Sequence, residues 1–79
     1  MTYNKKDKAQ GKKVSKSQYI YDLIYPFFAP NYCEGVIEIS QEDKFVVIYV
    51  DSELSKNKIS AIIDSDFAVE KEYLVVQVM

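Results

Sequence analysis

Phe45-Val46-Val47-Ile48-Tyr49-Val50 is apolar at all six positions. A run this short, rich in β-branched and aromatic side chains and flanked by polar residues, reads as a strand buried, or nearly buried, on both faces. Upstream, Val36-Ile37-Glu38-Ile39-Ser40 alternates: Ile37 and Ile39 on one side, Glu38 and Ser40 on a wet one. Gln41-Glu42-Asp43 between the two runs is polar and short enough for a hairpin loop. Downstream, Tyr73-Leu74-Val75-Val76-Gln77-Val78-Met79 predicts a third strand. Tyr73, Val75 and Gln77 then share one face, and Leu74, Val76 and Val78 the other.

Two helices complete the pattern. Ile20, Leu23, Ile24, Phe27 and Phe28 form an apolar stripe at helical period. Ser15 with Gln18 fits a capping box, so this helix starts near Ser15 or Ser17. Pro26 removes a donor and biases Tyr25 away from the α region, which predicts an end or a kink there, with Phe27 and Phe28 in a looser turn. The second helix is expected over about 53–64, capped by Asp51 or Ser52. Glu53 stands in its first turn, and Leu54, Ile59, Ile62 and Ile63 form its narrower apolar face. Asp64-Ser65-Asp66 reads as its end.

The order is helix, strand, strand, helix, strand. The expected fold is a small α+β two-layer sandwich, αββαβ, with a three-stranded sheet and both helices on one face. Its expected core is Ile20, Leu23, Ile24, Ile37, Ile39, Val46, Ile48, Ile62 and Val76. If the last two strands are parallel, the connection through the second helix should be right-handed. The order resembles a ferredoxin-like fold without its first strand. It is also similar to the type II KH order, although no GxxG joins two helices here. Neither likeness implies a function, because fold alone does not.

Charge divides the chain. Residues 1–18 hold six lysines against one acid, +5; residues 19–79 hold four lysines against eleven acids, −7. Residues 1–16 are expected to be a flexible lysine-rich arm, and 17–79 a single α+β domain. A domain of roughly sixty residues buries only about 60% of its unfolded surface, so help from self-association is expected.

The composition points away from catalysis. The 79 residues include no histidine, the commonest general base near neutral pH, and no arginine or tryptophan. Cys33 is the only cysteine; it lies between Tyr32 and Glu34, with no imidazole to hold a thiolate. Structural zinc wants four Cys or His ligands. The acidic pairs Glu42/Asp43, Asp51/Glu53 and Asp64/Asp66 lack calcium-loop spacing. With two glycines, Gly11 and Gly35, no phosphate-cradling loop forms. The expectation is a protein without enzymatic activity, metal, cofactor or small-molecule substrate. No apolar run reaches signal-peptide or membrane-span length, and a reducing cytoplasm is the expected compartment.

Three features are candidates for function. The arm lysines Lys5, Lys6, Lys8, Lys12, Lys13 and Lys16 could neutralise phosphates. The seven tyrosines suit interface hot spots, with Tyr21 and Tyr25 an i, i+4 pair off the main stripe of the first helix. The third is the sheet face that two helices leave open. The expected partner-binding set is therefore Tyr21, Tyr25, Phe45, Val47, Tyr49 and Tyr73. The leading expectation is a protein-interaction module that binds a protein partner or a second copy of itself. By analogy with small accessory proteins of phages and mobile elements, its acidic body would inhibit a target by occupying a basic, nucleic-acid-binding surface. The alternative is a nucleic-acid-associated protein anchored by the lysine arm.

Overall fold

The computed structural model describes residues 15–79. The expectation of a flexible arm concerns mainly residues 1–14, which lie outside them.

Helix α1 spans Lys16–Phe28. Ser15 caps it, its Oγ accepting from the Gln18 N–H at 3.2 Å. Only half of the capping box forms, because the Gln18 amide donates instead to the Asp22 carboxylate at 3.1 Å. Pro26 lies inside the helix and does not end it. Phe27 and Phe28 stay helical, and the Ala29 N–H reaches the Tyr25 carbonyl at 2.9 Å. The turn after Pro26 persists because Phe28 is driven inward: Ile20, Ile24 and Phe28 are almost wholly buried. Ala29 takes the extended conformation (φ −55°, ψ 145°) that the following Pro30 favours, and the helix stops.

Strands β1 (Val36–Gln41) and β2 (Val46–Val50) pair antiparallel, with the Glu42 N–H bonded to the Phe45 carbonyl across the turn at 2.8 Å. Helix α2 spans Glu53–Asp66, and β3 (Leu74–Val78) returns parallel to β2, from Val46 opposite Leu74 to Val50 opposite Val78. A parallel pair needs a crossover, and α2 provides it. The sheet order is β1-β2-β3, so the all-apolar strand is central.

Both helices pack on one face. Val46, Ile48 and Val50 of β2 meet Ile20, Ile24 and Phe28 of α1 and Ile59 and Ile63 of α2 in one core. Leu74, Val76 and Val78 close it from β3, and Val36 and Ile39 from β1. Full burial of each such side chain is worth about 1.5–3 kcal/mol.

Four further details depart from the expected pattern. Ile37 is 44% exposed instead of buried, because the pairing shifts between Val36 and Glu38. Val36 takes the inward place opposite Val50, and Ile37 becomes the extra residue of a bulge. Leu54 is 79% exposed, since it lies in the first turn of α2 beyond the sheet's cover. Helix α2 continues through Asp66 because Phe67, its C-cap, is a core residue that draws the last turn down. Tyr73 belongs to a short 3-10 turn, Lys71–Tyr73, and not to the strand.

A polar joint holds one end of the sheet. The Asp51 N–H donates to the Gly35 carbonyl at 3.0 Å. Ser55 and Ser52 hydroxyls donate to Asp51 Oδ1 at 2.7 and 3.1 Å, and Ser52 caps α2 by accepting from the Ser55 N–H. Those two hydroxyls hold the Asp51 carboxyl below its ordinary value of 3.8. Gly35 has φ +97°, and a Cβ there would run into the Ser55 side chain. At the other end Ser17, 1% exposed, donates to the Asp43 carbonyl at 3.3 Å and accepts from Gln41 Nε2 at 3.3 Å. This fixes the start of α1 on the hairpin.

Two outcomes follow from the joint. Gly35→Ala should cost at least about 1–2 kcal/mol of stability in urea unfolding, from the left-handed backbone alone. Because the Asp51 pKa is depressed on folding, its contribution is present above 3.8 and lost as pH falls through the folded value. The gap in melting temperature between the wild type and Asp51→Asn should therefore be steady near neutrality and shrink on acidification below that pH.

Candidate protein interface

Residues that pair across strands point to the same side of a sheet. Tyr49 stands between Glu38 and Gln77, and Val47 between Ser40 and Val75. These six side chains face away from both helices, since the core takes the alternate residues Ile39, Ile48 and Val76. Phe45, one alternation before Val47, extends the row. Phe45 is 36% and Val75 38% exposed, while Val47 at the centre of the sheet is 7% exposed. The result is an apolar strip along β2 and β3, flanked by Glu38, Ser40 and Gln77. Ser40 donates to the Glu42 carboxylate at 2.7 Å, which holds polar groups at the β1 side of the strip. Neither helix packs on this face, and β1 and β3 are its outer strands.

The residues expected to bind a partner do not form one surface. Phe45, Val47 and Tyr49 share the open face. Tyr21 and Tyr25 are on α1, in the helical layer, with rings stacked at 5.3 Å between centroids and 29° between planes. Helical spacing puts them on the flank away from Leu23 and Phe27, and Tyr21 also packs on the core. Tyr73 packs against the core from the 3-10 turn, where Lys16 Nζ lies 5.2 Å from its ring centre. Lys16 is also 5.8 Å from the Tyr19 ring. It is the first residue of α1, and it is placed for cation–π contact worth about 0.5–1 kcal/mol. Lys5, Lys6, Lys8, Lys12 and Lys13 lie outside the described residues.

Val75 is the open-face residue absent from the expected set. The alternation that puts Tyr73, Val75 and Gln77 on one face carries its signal.

Cys33 is half-buried, and burial pushes its thiol above the ordinary value of 9.0 against an opposing pull from Lys58. It is therefore protonated near neutral pH. Among the described residues no group of three His, Cys, Asp or Glu side chains is arranged to hold a metal ion, and no helix is long and apolar enough to cross a membrane. Compared with protein-family models, curated proteins and solved structures, the chain has no significant match.

The two sides of the sheet should respond differently to substitution. Ile48→Ala, on the wholly buried side, should cost about 2–5 kcal/mol in urea unfolding. Phe45→Lys and Val75→Lys, on the open side, should each change stability by no more than about 1 kcal/mol.

Proposed function

We propose that this chain is a non-enzymatic protein-interaction module that binds through the open face of its sheet. The observation that carries the reading is the strip Phe45, Val47, Tyr49 and Val75, which the fold leaves without a helix among the described residues. Uncovered apolar surface of this kind marks an interface. The first partner to test is a second copy. Face-to-face pairing of two such sheets covers both strips, and a domain this small gains stability from it by mass action.

The charge favours a basic partner over a second copy, since two acidic copies repel. Residues 15–79 carry five lysines against eleven acids, −6. Glu38 flanks the strip itself. Such a surface favours encounter with a positively charged protein, including one whose own ligand is a nucleic acid. In that role the module is an inhibitor that competes for the basic surface.

Sedimentation at micromolar concentration and capture from the source cells test the reading together. Wild type should run as a dimer or retain a protein, and the Phe45→Lys/Val75→Lys variant should do neither while keeping its helical and sheet circular dichroism. A wild type that is monomeric and captures nothing would overturn it. The alternative, anchorage to nucleic acid by the lysine arm, predicts salt-dependent binding to generic DNA or RNA that disappears on deleting residues 1–14. That deletion leaves Ser15 to cap α1.

A further inference from the structure

The helical layer is not closed. Between α1 and α2 lies a hollow of about 570 Å³. Leu23, Phe27 and Phe28 of α1 form one wall, and Ile62 of α2 and its C-cap Phe67 the other. The Phe67 ring holds the walls together at one side, 5.5 Å from the Phe27 ring at 65° and 5.6 Å from the Phe28 ring at 56°. Cys33, from the loop after α1, completes the apolar lining. One charged residue, Asp66, is among those that line the hollow.

Size and lining both have chemical content. Pockets that take small molecules run to roughly 300–1,000 Å³, with mostly apolar walls and few polar groups. Asp66 is the one charged residue in the lining; Lys58, which pulls on the Cys33 thiol from nearby, is not among the lining residues. A second depression, of about 470 Å³, lies between α2 and β3 and contrasts with it. Lys56, Asp64, Lys71 and Glu72 line that one, and Lys71 already meets Asp64 at 3.7 Å. Mixed charge with its own internal pair selects no ligand.

We infer that the hollow between α1 and α2 binds a small amphipathic cation, with an aryl or alkyl body among Leu23, Phe28, Ile62 and Phe67 and a positive group at Asp66. Phe27, 60% exposed, forms the accessible lip. This site lies on the opposite layer from the open sheet face and stands independently of the proposed protein interface. It also departs from the sequence reading, which held no small molecule.

The test uses the full-length, nitrogen-15-labelled chain and an isosteric pair of probes, 4-phenylbutylammonium and 4-phenylbutanoate, each titrated into the millimolar range. The ammonium should move the amide signals of Leu23, Cys33, Ile62 and Phe67 along a saturating curve. It should bind about two- to fivefold more tightly than the carboxylate, the ratio an exposed ion pair supplies. Asp66 is on the surface, so Asp66→Asn should fold normally and bring the two affinities together. Ile62→Trp, which fills the hollow, should abolish both shifts; if that variant does not fold, the wild-type and Asp66→Asn titrations decide alone. Equal affinities in the wild type, preference for the carboxylate, shifts confined to the open sheet face, or no saturation would each overturn the assignment.

Discussion

Everything in this fold is arranged around β2. It is the strand with a neighbour on each side, antiparallel β1 and parallel β3. Its inward residues Val46, Ile48 and Val50 have no exposed surface. The antiparallel neighbour needs only a short turn, whereas the parallel one obliges the chain to travel back along the sheet. That obligation is the reason α2 exists. Helix α1 then fills the remaining half of the same face. With roughly sixty-five residues there is no chain among the described elements to build a third layer, so no described helix covers the outward side of β2, where Val47 is shielded by its neighbours in the sheet.

The central strand, both helices and the third strand were legible because each has a period of its own. The apolar run at Phe45–Val50 is too short for a helix and too apolar for a half-wet strand. The stripe from Ile20 to Phe28 keeps helical spacing across Pro26. What the sequence hid was tertiary in origin. Nothing local distinguishes Ile37 from Ile39; the bulge arises because Val36 fits opposite Val50. Likewise, Asp64-Ser65-Asp66 has the composition of a turn, and only the burial of Phe67 keeps those residues helical.

The candidate surfaces show the same division. Alternation along β2 put Phe45, Val47 and Tyr49 together correctly. A count of tyrosines could not show that Tyr21, Tyr25 and Tyr73 belong to the helical layer, since aromatic residues serve core edges and interfaces alike. The hollow between the helices escaped notice for a related reason. Leu23 and Phe27 sit four apart on the flank of a stripe already wide enough to be core, and whether α2 approaches that flank closely is a matter of packing, not of period.

The polar joint at Gly35 has a consequence for how this chain can vary. There the entry to β1, the exit of β2 and the first turn of α2 share hydrogen bonds through Asp51, and the backbone has no room for another carbon. An inserted residue at that end would have to be absorbed by three elements at once. The stretch Ala68–Glu70 is the opposite case: a surface turn between α2 and the 3-10 turn, with Val69 82% exposed. Length changes, grafted loops and fused domains are tolerated at such a turn, and a lineage that elaborates this fold can do so there.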